Sequence, residues 1–337
     1  MRAWLLICAC AVALFALPAV AGADSPTAAT AGATGATGPT APVKPSKPAA
    51  FSLGVSGTYV YKHRRYALPT TKLTIKGSVK ADLDNQIVAV VIKKHGRTVH
   101  TDNVRLSGNS SSASFSTTWK IGSKGAYTIS VDVPSGLAGY ATSGGDVIVK
   151  SVRTDIHSGS SGVAVRVFQA KLAALGYVTP RNGNFNDATG RAFMAFRKVN
   201  DMARNFSAGS KVAHKLASGK GGFHLRYPGA GRHVEVSIKK QVMAFADHGK
   251  VVRIYHVSTG KPSTPTVRGT FHVYRKDWGT NEKGMVDSNY FTGGYAIHGY
   301  AEVPSYNASH GCVRVPIPNA ASIYAWVHMG TRVDVYY

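Results

Sequence analysis

Ile297-His298-Gly299, followed by Ser309-His310-Gly311-Cys312-Val313-Arg314, is the stretch on which the reading of this chain turns. It sets the last of three cysteines among two histidines and neighbouring glycines. The thiolate is the nucleophilic form of cysteine, and a free thiol with a pKa of about 8.5 needs a base or a cation beside it. Imidazole titrates near neutrality, so it can take that proton and return it. A glycine next to the nucleophile lets backbone N–H groups approach a developing oxyanion. The composition of the patch therefore suits acyl transfer through a thioester. On spacing alone two other readings stay open. One is a structural cysteine with a histidine nearby; the other is a zinc site made by Cys312, His310 and His298, for which no Cys-x-x-Cys or His-x-x-x-His pattern speaks.

Working outward, strand-like runs lie at 234–238, 242–246, 251–257, 267–274, 295–298 and 333–336, with Asp247-His248-Gly249-Lys250 as a turn. Pro318 starts a helix with Ile323, Trp326 and Val327 on one face, closed by Gly330. His224, His233, His248, His256 and His272 are scattered over strands and turns, and surface or internally satisfied histidines account for them.

The motif and its surroundings, over about 230–337, resemble the L,D-transpeptidase catalytic domain of bacterial cell-wall enzymes. The signature is His298-Gly299, a variable loop, Ser309-His310-Gly311-Cys312, the apolar Val313, and Arg314 in place of the commoner Asn. The loop from Gly299 to Ala308 is short for that family. The resemblance implies Cys312 as nucleophile and His298 as its base, later the acid for the leaving amine. It implies that the Gly299 carbonyl orients His298, and that backbone N–H groups of Gly311 and Cys312, with Gly294, face the oxyanion. His310 would fix the loop. Gly293, Gly294, Tyr290, Ser309 and Arg314 would bind substrate, and 278–291 would form a lid; Tyr290 and Tyr295 read equally well as core aromatics.

The implied reaction is attack on the carbonyl between residues three and four of a peptidoglycan stem, with loss of D-alanine. The thioester then passes to a side-chain amine of a neighbouring stem, giving a three-to-three cross-link. No metal, ATP or organic cofactor is expected. Water as acceptor would make the protein an L,D-carboxypeptidase. A third reading, a non-catalytic wall-binding protein, is what the upstream modules alone suggest.

In those modules, residues 158–217 carry apolar residues at helical spacing: Val165, Phe168, Leu172 and Leu175, then Ala192, Phe193, Phe196 and Val199, then Val212 and Leu216. Gly176 ends the first helix, Asn186 or Asp187 caps the second and Ser210 the third. Val165-Arg166-Val167-Phe168-Gln169, Leu175-Gly176-Tyr177, Gly183-Asn184-Phe185 and 189–196 resemble the bacterial peptidoglycan-binding helical domain, with Arg197 where that family commonly has Gln. Residues 51–152 alternate in short runs at 73–79, 87–92, 113–119 and 126–133 between turn signals, which predicts an immunoglobulin-like sandwich. Residues 24–50 are an Ala/Thr/Pro/Gly linker.

At the start, Arg2, an apolar run and Pro18-Ala19-Val20-Ala21-Gly22-Ala23 have the shape of a secretory signal over 1–23, which predicts an exported protein of the periplasm or cell wall. Cleavage would leave Cys312 as the lone cysteine. The architecture expected is thus multidomain and mainly β: a sandwich at 51–152, a small three-helix domain at 158–217, and a β-rich catalytic domain at 222–337 with one or two short helices. The formal net charge of +24 calls for anionic surroundings. Peptidoglycan stems and glycan strands are the expected partners, with anionic wall polymers as further candidates. An export signal and the absence of a recognition motif speak against nucleic acid, and membrane contact is expected only through an uncleaved signal segment.

Overall fold

A computed structural model describes residues 47–337. The expected signal segment and most of the expected linker lie outside the described residues.

The chain first lays down β1 (Ala49–Ala50), β2 (Ser52–Ser56), β3 (Tyr59–Tyr61), β4 (Arg64–Ala67), β5 (Lys72–Val79) and β6 (Ile87–Lys94). There follow β7 (Arg97–Arg105), β8 (Ser107–Asn109), β9 (Ser112–Lys120), β10 (Gly125–Asp132), β11 (Ala141–Thr142) and β12 (Val147–Ser151). They form one sheet in the order β3-β4-β12-β10-β6-β7 and another in the order β2-β5-β9-β8, with β1 and β11 as a small parallel pair. In β5, Leu73, Ile75 and Val79 point inward while Lys72, Lys76 and Ser78 face solvent, the two-residue period of a half-buried strand. They meet Val88, Val90, Ile92, Ile129 and Val131 of the other sheet in one core. The sequence runs had not marked β7, whose Arg-Thr-Val-His-Thr-Asp-Asn-Val-Arg has no buried residue. It is the edge of its sheet, where a polar strand discourages pairing with another chain.

Three helices follow: α1 (Val163–Ala174), α2 (Asp187–Val199) and α3 (Ser210–Ala217). Asn186 caps α2 by accepting the Thr189 N–H at 3.1 Å. For α3 the cap position is Gly209, and Ser210 is the first helical residue with no capping bond.

The last part holds β13 (His233–Ser237), β14 (Val242–Asp247), β15 (Lys250–His256), β16 (Gly269–His272), β17 (Arg275–Thr280), β18 (Val286–Thr292), β19 (Tyr295–Tyr300), β20 (Val313–Pro316), α4 (Ile317–Trp326) and β21 (Arg332–Tyr336). Two sheets result, β15-β14-β13-β21-β16 and β17-β18-β19-β20. Val234, Val236, Phe245, Val333 and Val335 of the first join Ile297, Val313 and Val315 of the second, and Ile323 of α4, in a common core. The helix α4 stops at Trp326, short of Gly330, because Val327 is already extended; Gly330, at φ 79°, makes the turn toward β21.

Strand β14 explains how the helices attach. Its residues 242–246 are all buried. Met243 and Phe245 point into the core just described, whereas Val242 and Ala244 point the other way, into a core with Val165, Phe168, Phe193 and Phe196. A strand apolar on both faces has to be covered on both. The backbone completes the join: Ile254 N–H donates to Gly176 O at 2.8 Å.

Candidate active site

Strands β19 and β20 run parallel with Ile297 opposite Val313 and His298 opposite Arg314. Paired residues share a face, and successive residues alternate. Ile297, Val313 and Val315 accordingly fill the core, which sends Ala296, His298, Tyr300, Cys312 and Arg314 to the other side. One sheet edge thus brings together the histidine and the cysteine that the sequence separates by a loop.

His298 is buried, 3% exposed. Its Nδ1 donates to the Gly299 carbonyl at 2.8 Å. A carbonyl only accepts, so Nδ1 carries the proton and Nε2 has the free lone pair. Burial holds the imidazole down at about 4; the Gly299 bond opposes this, and the nearby Arg314 charge adds to it.

Cys312 is half-buried and packs against Met285, Tyr290 and Ala296. Burial pushes the thiol up, while the Ala296 backbone and the charges of Arg314 and Lys283 pull it down. The sulfur donates to the Gly294 carbonyl at 3.8 Å, a long contact. So the part of Gly294 that meets the sulfur is its carbonyl, not the N–H expected for an oxyanion. Burial thus disfavours the charged form of both groups, the thiolate and the imidazolium.

The loop before Cys312 is held by backbone geometry. Ser309, 1% exposed, accepts the Gly311 N–H at 3.1 Å and donates to Cys312 O at 2.6 Å. Both ends of its hydroxyl are used within the loop, so Ser309 shapes the turn instead of facing substrate. His310, expected to fix the loop, is exposed, with its Nε2 3.4 Å from Lys261 Nζ. The loop is fixed by Ser309 and by Ser258, Thr259 and Lys261: Ser258 and Arg314 exchange backbone bonds, and Thr259 O accepts from Ala308 and Ser309. Gly311 sits at φ 118°, and a Cβ there would lie 2.1 Å from the Tyr295 ring. Tyr295 therefore covers the glycine rather than a ligand.

Tyr290 is 6% exposed, with the Arg275 guanidinium 3.9 Å above its ring. It forms a wall beside Cys312. The expected lid at 278–291 is a hairpin of β17 and β18 built into the sheet. Its Trp278 is exposed and meets Tyr324 of α4, centroids 5.2 Å apart. Gly293 and Gly294 make the turn into β19, and Tyr274 OH donates to Gly293 O. The Arg314 guanidinium lies 4.1 Å above the Tyr300 ring. Its charge favours the thiolate and disfavours the imidazolium. Among the described residues no three His, Cys, Asp or Glu side chains gather as a metal site.

Sequence reasoning missed one feature. Lys198 of α2, 2% exposed, donates to His256 Nδ1 at 2.7 Å, Val257 O at 2.9 Å and Gln241 O at 3.1 Å. His256 is one of the histidines given no role. The pair is 58 residues apart in sequence and has no local signal.

A family profile, the L,D-transpeptidase catalytic domain, matches residues 231–335. Among solved structures, an L,D-transpeptidase from Xylanimonas cellulosilytica is 33% identical with a TM-score of 0.51, covering 55% of this chain and 98% of that one. The catalytic domain of an L,D-transpeptidase from E. faecium is 28% identical, covering 31% of this chain and 96% of that one, with a TM-score of 0.28. An L,D-transpeptidase from Mycobacterium smegmatis is 13% identical, covering 86% of this chain and 100% of that one, also with a TM-score of 0.28. Comparison with curated proteins returns no significant match.

Proposed function

The chain belongs to the L,D-transpeptidase family, and on that premise we propose that it is an exported cysteine acyltransferase that cross-links peptidoglycan stems. The observation that carries the reading is the shared face of β19 and β20. It presents a buried His298, with its Nε2 lone pair free, on the same face as the half-exposed Cys312.

His298 Nε2 takes the Cys312 proton as the sulfur attacks the carbonyl between the third and fourth stem residues. The backbone N–H of Cys312 receives the oxyanion, whereas the Gly311 N–H expected beside it is already donated to Ser309 Oγ. The C–N bond breaks, the imidazolium returns its proton to the departing D-alanine nitrogen, and a thioester remains. A side-chain amine of a second stem then attacks the thioester and yields a proton to His298. The Cys312 sulfur leaves and takes that proton from His298, which restores the neutral thiol and imidazole. Because His298 binds a proton weakly, the imidazolium exists only along the reaction path, where it is a strong acid for the leaving amine. Arg314 stabilises the thiolate from the same face.

The three-helix segment would hold the glycan polymer and raise the local concentration of stems. Its Arg197, where the resembling family carries Gln, is taken up by the carbonyls of Ser207 at 2.9 Å and Ala203 at 3.1 Å. Polymer contact would then fall to other residues of the segment. The net charge of +24 suits an anionic wall.

The test is incubation of the protein with a stem tetrapeptide, followed by mass spectrometry. D-Alanine release, a protein adduct on Cys312 and a cross-linked dimer are the expected products. Tripeptide without dimer assigns the carboxypeptidase activity instead. Cross-linking by Cys312→Ala protein overturns the proposal.

A further inference from the structure

The segment 301–308 joins the strand of His298 to the turn of Cys312. Val303 in that segment accepts from His256 Nε2 at 2.9 Å. Since Nε2 faces a carbonyl, it must carry the ring proton, and Nδ1 is left as the acceptor for Lys198 Nζ. Lys198 thus fixes the tautomer that His256 needs in order to hold Val303. Its other two bonds, to Gln241 O and Val257 O, anchor the amine to the sheet beneath. Burial, and after it the Arg204 charge, push the Lys198 amine down to about 6. Arg191 and Arg204 are the other charges acting on His256; with Lys198 they and burial keep the ring neutral, at about 3.

A second grip comes from the same side. Arg197 of α2 fastens the stretch 203–207, and from it Arg204 donates to Ser305 O and, at 3.4 Å, to Lys239 O. Two carbonyls of the short segment are therefore held by side chains whose placement depends on α2.

We propose that Lys198 and His256 are positioning residues for the acyl transfer, through which the helical segment holds the loop between His298 and Cys312 in register. On this view the helices are part of the active-site scaffold, in addition to any contact they make with the wall polymer. The proposal rests on the reaction given above, and its test separates the two.

In the wild-type protein, two-dimensional nitrogen–proton NMR of the His256 ring reports the tautomer without substrate. A proton on Nε2, unchanged between about pH 5 and pH 8, is expected; a proton on Nδ1, or a ring that titrates in that range, overturns the proposal. With a synthetic stem tetrapeptide as the probe, D-alanine release by Lys198→Met falls about tenfold in kcat with KM within about twofold, because His256 loses the bond that fixes its tautomer along with the two that anchor the amine. His256→Gln, which keeps an amide N–H for Val303, retains most of the activity, whereas His256→Phe, which keeps only the packing, falls as far as Lys198→Met. Phe performing as well as Gln, or folded Lys198→Met within twofold of wild type, overturns it. If wild type releases no D-alanine, the reaction assigned above is wrong, and the NMR result still decides the tautomer.

Discussion

The β-sandwich and the part of the chain beyond it keep their interiors by different means. Up to Ser151, among the described residues, Thr71 and Ser151 are the polar residues inside, and the core is Leu73, Ile75, Val90, Ile129 and their aliphatic neighbours. Past Ser160 the interior holds Lys198, His233, Glu235, His256, Asn289, His298 and Arg314. Each such group costs free energy to bury unless partnered. Glu235 shows how this is met: it accepts from the backbone of Arg226 and Tyr227, from His233 and from Tyr336. The sandwich is specified by pattern and volume, whereas the catalytic region is specified by individual polar pairings. The proposed acyl transfer is placed in the second region, whose fixed, water-poor polar geometry is what such chemistry uses.

The sharpest separation of the two is Cys312→Ala. Stem cross-linking should fall by about 10⁴-fold or more, with the thermal midpoint moved by no more than about 2 °C. Activity within tenfold of wild type would break the assignment of chemistry to this face. The converse substitution is Ile75→Ala, at a fully buried position. Denaturant unfolding should show a loss of about 2–5 kcal/mol, with kcat/KM of the folded protein unchanged. A matching fall in kcat/KM would show that the sandwich is coupled to the site.

The same contrast governs what was legible in the sequence. Alternation at 73–79 and 126–133 announced β5 and β10, since one face of each lies on the core. The edge strand β7 was silent because nothing in it is buried. In the catalytic region the pairing of His298 with Cys312 was legible only through family resemblance; no period in the chain states that β19 and β20 are neighbours. Ser309 took the loop-fixing part expected of His310, because which of two adjacent polar side chains turns inward depends on backbone dihedrals that composition does not encode. Lys198, His256 and Arg204 were invisible too, since their partners lie 35 to 101 residues away. The attachment of the helices to β14 had one local sign, the unbroken apolar run at 242–246.

Gly311→Ala probes whether loop geometry matters as much as the thiol itself. The residue sits at φ 118°, and the added carbon would fall 2.1 Å from Tyr295 Cε1. The turn must shift, carrying Cys312 away from His298. Displacements of this order cost about 10²-fold in rate, read as kcat on the stem tetrapeptide. A variant within threefold of wild type would mean that the loop tolerates movement, and that the site is less rigidly specified than the comparison holds.

The smallest effect concerns protons. In the proposed mechanism neutral His298 is the base, and burial lowers its pKa to about 4. As pH falls through that value the ring takes a proton and kcat/KM should fall with it, where an exposed imidazole would give the same limb near pH 6.5. The thiol moves in the opposite sense. Its pKa is raised by burial, so without substrate the thiolate is scarcer at a given pH than in a free cysteine. Alkylation by iodoacetamide, which requires thiolate but no stem, should therefore be slower than that of a small-molecule thiol at neutral pH and keep rising with pH after that thiol has levelled off. A fast rate that levels off below pH 7 would show a thiolate already paired with an imidazolium at rest. The activation of Cys312 would then be built into the free enzyme, not completed by the arriving substrate.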